Sequence, residues 1–385
     1  MTPEMDQDIV NVLKGVMDPE LKENIVELGM VKAASREGQT AKVTVALTTA
    51  GCPLRHQIKS DVARKVSMID GIEDVKVTFG ELTAQEKRTL MDTARKNARE
   101  NATPIAIEAT TRVIAVASGK GGVGKSSITA NLAAAIANEG FNVGVLDADI
   151  WGFSQPKMLG VQGRLGGEDG KISPHEKKVG KGTLKVVSMG FLVDDDQSAL
   201  MWRGLILAKA VEQFLTDVNW GNIDYLFVDM PPGTGDIQMA LARLVPQSEM
   251  LVVTTPARGA QEVAARVGDM AQRSFMPIIG VVENMSYFVA PDGGKHEIFG
   301  QGGGARLAKR LATQLVGQIP IEPSVTGANN DGTPIVVSES PEIRDSAAAI
   351  AIRDLARKIY TEICPPVELA TCTAHMAELI AQLDK

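Results

Sequence analysis

A chain of 385 residues is long enough for two domains, and its 44% apolar content is that of an ordinary globular protein. A formal charge of −7 argues against a polyanion-coating role, which needs a clustered basic face, and no apolar run reaches the length of a bilayer span. Three cysteines (Cys52, Cys364, Cys372) are too few for a disulfide framework, and the opening MTPEMDQDIV has no apolar signal core, so the expected compartment is the reducing cytoplasm.

Taken in chain order, residues 1–82 read as a small α+β unit. A helical start, QDIVNVLKGV, leads to DPEL. Strand-like runs NIVELGMVKAA and TAKVTVALT follow, then a helix from about Leu54 and a last strand, EDVKVTF. Residues 83–111 are charged and poor in large apolar side chains, the composition of a solvated linker. From Arg112 to Ile363 short Val- and Ile-rich runs (RVIAVAS, FNVGVLDAD, LKVVSMG, DYLFVDMPPG, EMLVVTTP, PIIGVVENM) alternate with amphipathic helical spacers. That alternation predicts an α/β domain whose mostly parallel sheet is covered by helices on both faces. Residues 364–385 read as a helical tail with Met376, Leu379, Ile380 and Leu383 on one face. Lys385 is the one cation that would lie opposite, so the stripe suits packing on the protein or a partner better than a membrane surface.

Within the larger domain, VIAVASGKGGVGKSS runs from a strand through a glycine-rich turn into a helix that opens at about Lys125. This strand–loop–helix setting makes G-x-x-x-x-G-K-[ST] a phosphate loop. Gly119, Gly121, Gly122 and Gly124 let backbone N–H groups turn inward toward a phosphate chain at the helix N-terminus, and the loop runs on through Val123 to Ser126 and Ser127. Lys125 is expected to reach the β- and γ-phosphates, with the Ser126 hydroxyl on Mg²⁺. Carboxylates belong at the carboxyl ends of neighbouring strands. Asp229 ends DYLFVD ahead of a Pro-Gly loop, and Asp147 and Asp149 end VGVLDAD. One would polarise the attacking water while another holds the metal shell, Asp229 through a water.

The stretch KGGVGKS resembles the deviant phosphate loop of the dimeric ATPases that include MinD, ParA and the nitrogenase iron protein. In that class a signature lysine, here Lys120, reaches across a two-fold interface toward the partner's nucleotide. The resemblance thus implies a homodimer that closes on ATP, with the extra ammonium acting as an arginine finger would. DADIWGFSQPKMLG, MWRGLILAKAVEQFL, DYLFVDMPPGTGD and VVENMSYF resemble the Mrp/ApbC branch of iron–sulfur cluster carrier ATPases. DPEL and LTTAGCPLRHQI resemble the metal–sulfur cluster assembly domain fused ahead of that ATPase. The resemblance implies ATP and Mg²⁺ as cofactors, a [4Fe–4S] cluster as cargo, and apo iron–sulfur clients or scaffold proteins as partners, with neither nucleic acid nor membrane. It implies that Asn284 contacts the adenine, that Asp149 lies in switch I and that Asp229 begins switch II. A nucleotide-driven positioning switch and a metal-free client-maturation chaperone are the alternatives.

One departure stands against these agreements. The family follows ENMS with C-P-x-C-G, whose thiolates hold a bridging cluster, whereas this chain reads ENMSYFVAPDGGKHEIFG. Ala290 and Gly293 occupy the two cysteine positions, and neither side chain can ligate iron. Cys52 follows a strand and precedes a helix, where a thiol's pKa falls, and it is the candidate iron–sulfur ligand that remains. Cys364 and Cys372 are seven intervening residues apart, the spacing of no compact metal knuckle, and read as packing residues. His56, His175, His296 and His375 form no ligand spacing.

Overall fold

The computed structural model describes residues 5–18, 23–47, 55–83, 85–86, 89–90, 93, 105–150, 152–168, 170–192, 204–233, 235–274, 276–290, 292–323, 325, 327 and 331–367. The chain forms two compact units, residues 1–101 and 102–385.

In the first unit, α1 (Gln7–Leu13) starts where it does because the Asp6 carboxylate accepts from the backbone N–H of Asp8 and Ile9, and it buries Ile9, Val10 and Leu13. Residues 24–30, expected to open the first strand, form a turn. Asn24 Oδ1 accepts from the Glu27 N–H at 2.8 Å, and Gly29 closes the turn at φ 67°. A local side-chain bond to the backbone outcompetes the extended conformation there, although Ile25 and Leu28 are buried as the apolar pattern requires. Strand β1 (Val31–Glu37) therefore begins later, pairs antiparallel with β2 (Thr40–Leu47), and β2 pairs parallel with β3 (Asp74–Glu81). Helix α2 (Arg55–Val66) turns Ile58, Val62 and Val66, one face at successive i+4 steps, into this core.

The ends of the charged stretch 83–111 are packed. Glu86 caps the turn after β3 by accepting from both the N–H and the hydroxyl of Thr83 at 2.8 Å, and it pairs with Lys32 at 2.9 Å; Leu90 is buried. At the other end the Ala106 N–H donates to the Leu215 carbonyl, the Thr111 hydroxyl donates to the Ile223 carbonyl, and Ile107 is buried.

The second unit is built on a nine-stranded sheet. Its strands are β4 (Arg112–Ser118), β5 (Asn142–Asp147), β8 (His175–Val179), β9 (Gly182–Ser188), β10 (Tyr225–Asp229), β11 (Glu249–Thr254), β12 (Ile278–Val289), β13 (Lys295–His296) and β14 (Leu315–Ile321). A small hairpin, β6 (Gly166–Glu168) with β7 (Lys171–Ser173), lies outside this sheet and is bridged through Ile172 to Val218. The sheet order is β13-β12-β11-β4-β10-β5-β9-β8, with β14 also on β12; β8 and β13 are antiparallel to their neighbours and every other pairing is parallel. From β4 the chain steps to β5 on one side and later returns to β11 on the other. This reversal opens a crevice at the carboxyl ends of β4 and β10.

Both faces of the sheet are buried. Ile114, Val116, Val145, Tyr225 and Phe227 face one core, while Val113, Ala115, Leu146, Leu226 and Val228 face the other. The strands therefore read as continuous apolar runs. The first core is completed by α3 (Lys125–Asn138) and α10 (Ala347–Lys358). The second is completed by α5 (Gly204–Thr216), α6 (Asp236–Leu244), α7 (Arg258–Arg273) and α8 (Gly303–Arg310). Helix α3 departs from the amphipathic expectation: residues 128–137 are all buried, because the sheet and α10 enclose it. Two short helices, α4 (Gln155–Leu159) and α9 (Pro341–Arg344), lie in the connections.

Candidate functional site

The loop after β4 is shaped by close approaches. A Cβ at Gly119 would come within 3.0 Å of the α7 backbone at Val263 and Ala264, so no other residue fits there without moving a helix. Gly124 caps α3 in the left-handed region (φ 79°), with no side chain capping the helix and no acidic residue in its first turn. The N–H groups of a 14-residue helix are thus presented to an anion with no competing carboxylate. A Cβ at Gly121 or Gly122 would meet nothing within 4 Å, so the loop borders open space.

Beneath the loop the predicted residues converge. Register sets Asp229 of β10 beside Asp147 of β5 and Val116 of β4, which brings both carboxylates under the start of α3. The buried Lys125 ammonium donates to Asp229 Oδ1 and lies 3.2 Å from Ser126 Oγ. Thr129 on the next helical turn also donates to Asp229 Oδ1, at 3.2 Å. Gln155, which no sequence pattern singles out, donates from Nε2 to Asp229 Oδ2 at 3.0 Å and to the Ser126 carbonyl at 2.9 Å.

Asp147 is held by donors of the protein itself. Its Oδ2 accepts from the N–H groups of Ser154 and Gln155 and from the Ser188 hydroxyl, and its Oδ1 accepts from the Asp149 N–H. Three donors on Oδ2 and one on Oδ1 tie this carboxylate to the backbone of Asp149, Ser154 and Gln155 and to Ser188. Burial, then the adjacent Asp229 carboxylate, push Asp147 up to about 7 against the pull of the Gln155 and Ser154 N–H groups and Lys125. Asp149 is buried in the loop that Asp147 organises.

The loop after Asp229 is stitched down by Gln238, which is fully buried. Its Nε2 donates to the Pro231 and Gly233 carbonyls, its Oε1 accepts from Gly235 N–H, and Gly233 N–H donates back to the Ser118 carbonyl at the end of β4. Asn284 reaches the phosphate loop from β12: its Nδ2 donates to the Val123 carbonyl at 2.9 Å. Lys120 has an exposed side chain.

This donor set fits a magnesium polyphosphate. Helix N–H groups and an ammonium suit the anion, while a hydroxyl and a carboxylate supply hard oxygen ligands for the cation. Among the described residues no group of three or more His, Cys, Asp or Glu is placed to hold a metal ion. Ala290 and Gly293 sit in the tight turn between β12 and β13, where Gly293 N–H donates to the Ala290 carbonyl and Ala290 N–H to the Gly294 carbonyl, both at 2.8 Å. Cys364 is fully buried, its thiol 3.3 Å from Glu249 Oε2 and pushed up to about 12 first by burial. It is a packing residue, as its position suggested. His296 is exposed. Cys52, Cys372 and the stripe from Met376 to Leu383 lie outside the described residues.

Residues 109–360 match the family described as the NUBPL iron-transfer P-loop NTPase, and residues 6–79 match the iron–sulfur cluster assembly protein family. The chain is similar to the iron–sulfur cluster carrier protein of Mycobacterium leprae, 43% identical over 343 residues that span 86% of this chain and 88% of that one. It is also similar to the protein of the same description from Synechocystis sp., 41% identical and spanning 92% of this chain and 97% of the relative. Among solved structures, a nucleotide-binding protein of Archaeoglobus fulgidus in complex with ADP is 33% identical with a TM-score of 0.50, over 61% of this chain and 91% of its own.

Proposed function

The chain belongs to the iron-transfer P-loop NTPase family, and on that premise we propose that it binds and hydrolyses Mg-ATP as a cytoplasmic homodimer and uses the cycle to deliver an iron–sulfur cluster to apo client or scaffold proteins. One observation carries the catalytic half: Lys125, Ser126 and Asp229 meet at an uncapped helix N-terminus under an open glycine loop. When bound, the magnesium triphosphate supplies an electrophilic γ-phosphorus and a cation that screens its charge. Lys125 exchanges the Asp229 carboxylate for phosphate oxygens. Asp229, still held by Thr129 and Gln155, would offer its freed lone pairs to water on the cation, and the Ser126 hydroxyl would hold the cation directly. Asp149 orients the attacking water. Backbone N–H groups of residues 119–127 hold the phosphates, and Asn284 fixes the loop through Val123 on the adenine side. Lys120 closes across the two-fold axis onto the partner's nucleotide.

Cys52 is the thiolate we assign to the cargo, with further ligands from a second subunit or from the client. Anaerobic reconstitution of the full chain tests this: iron, sulfide and cluster absorbance are expected in the wild type and lost in Cys52→Ala. Retention of the cluster in Cys52→Ala overturns the assignment. A second reading is favoured by the replacement of both family cysteines by Ala290 and Gly293. In it the protein is a metal-free chaperone for clients that acquire their clusters elsewhere. It predicts no bound iron in any nucleotide state, together with stable capture of cluster-free clients by a Lys125→Ala variant that cannot cycle.

A further inference from the structure

Gln155 is wholly buried and joins three segments of the site. Its side-chain nitrogen spends both hydrogens, one on the carbonyl of Ser126 and one on Asp229 Oδ2, while its own backbone N–H donates to Asp147 Oδ2 at 3.1 Å. Both side-chain partners are pure acceptors, so the amide has one possible orientation. In that orientation Gln155 Oε1 is left buried with no hydrogen-bond partner. Such an atom is costly, and buried amides as a rule find a donor for their oxygen. A glutamine that served only as a clasp between Ser126 and Asp229 has no use for an enclosed acceptor beside them.

We propose that Gln155 positions the magnesium coordination sphere, holding Ser126 and Asp229 with its nitrogen and accepting from a metal-bound water with its oxygen. The inference rests on the Mg-nucleotide reading above and deepens it. The residues Gln155 holds are the two assigned to the cation: it bonds the carbonyl of the residue whose hydroxyl is the ligand, and the carboxylate that faces the water shell. Asp229 Oδ1 is shared by Lys125 and Thr129, whereas Oδ2 rests on Gln155. When Lys125 leaves for phosphate, Gln155 becomes the principal restraint on the carboxylate's rotation. A metal-bound water is a strong, oriented donor, which is what the enclosed oxygen lacks. Gln155 is therefore a positioning residue, acting on the metal through its water and its protein ligands.

The test is a titration of full-length protein with a fluorescent ADP analogue, in excess Mg²⁺ and in EDTA. Gln155→Met keeps the volume and removes both polar atoms. Its affinity in EDTA is expected to match the wild type, while the gain on adding Mg²⁺ falls by about tenfold or more, the usual effect of removing an outer-shell partner. Gln155→Glu keeps an acceptor for the water. It is expected to lose affinity in EDTA, where the added charge repels the phosphates and both nitrogen donors are gone, while its gain on adding Mg²⁺ stays above that of Gln155→Met. Equal losses with and without Mg²⁺ in Gln155→Met, or a Mg²⁺ gain in Gln155→Glu no larger than that of Gln155→Met, reduce Gln155 to a packing residue and overturn the proposal. A wild type that gains affinity with Mg²⁺ alongside an unaltered Gln155→Met sinks the Gln155 assignment alone. A wild type that gains nothing from Mg²⁺ takes the Mg-nucleotide reading down with it.

Discussion

Replacing Gly124 by alanine strains the phosphate loop in two ways. The residue sits at φ 79°, ψ 22°, where a side chain costs about 1–2 kcal/mol. Its new Cβ would also lie within 3.0 Å of Asn284 Nδ2, the atom that donates to the Val123 carbonyl. Asn284 must swing away, and a net hydrogen-bond contribution of about 0.5–1.5 kcal/mol goes with it. The sum is about 1.5–3.5 kcal/mol, which for a unit of this size lowers Tm by about 3–6 °C. Differential scanning calorimetry of the full chain reads the shift, and a nucleotide titration should show weakened binding beside it. Gly121→Ala is the control: its Cβ meets nothing within 4 Å and its φ lies outside the left-handed region, so its Tm should match the wild type. If the two variants melt together, the clash and the strained backbone are not what hold glycine at position 124.

Lys125→Met leaves Asp229 and Asp147 side by side without the ammonium between them, and opening a buried pair from one side costs about 3–5 kcal/mol. Adding Asp229→Asn should restore part of that loss in a denaturant double-mutant cycle, whereas strict additivity would mean the contact does not stabilise the resting protein. Cys364 should resist iodoacetamide at pH 8 in the folded chain and react in denaturant, because burial raises its thiol to about 12; rapid native labelling on peptide mapping would contradict this. The Thr83 N–H, then Lys32 and the Thr83 hydroxyl, hold Glu86 down from the ordinary 4.5 to about 2. A depressed carboxyl stabilises the fold above its unfolded pKa and loses that contribution as the acid form is reached. The Tm difference between wild type and Glu86→Gln should therefore be full at neutral pH and shrink from about pH 4.5 toward 2; a difference that is flat over this window would refute the pairing.

What the sequence disclosed follows from how local the signals are. The phosphate loop was legible because Gly119–Ser126 is contiguous and bracketed by an apolar strand and a long helix, and Asp147 and Asp229 were legible as strand-end carboxylates. Their division of labour was not. It depends on strands β5 and β10 being neighbours, which places one carboxylate under loop N–H groups and the other under Lys125. Gln155 gave no signal, since a polar residue after Ser154 reads as the start of a helix until Asp229 and Ser126 are brought to it. Apolar periodicity starts the first strand at Asn24 because it carries no trace of the Asn24 side-chain bond that curls residues 24–30. Strand β14 has little local signal because its LVGQIPI carries a glycine and a proline and pairs with the bulged β12.

The central claim is that each subunit completes the other's ATPase site with Lys120, and one mixing experiment bears on it directly. Lys120→Ala and Lys125→Ala proteins should each be inactive as homodimers. Mixed together, they should regain measurable ATP hydrolysis, because the Lys125→Ala subunit lends its intact Lys120 to the intact phosphate loop of its partner. Full activity in Lys120→Ala alone, or no regain on mixing subunits shown to exchange, would contradict the account.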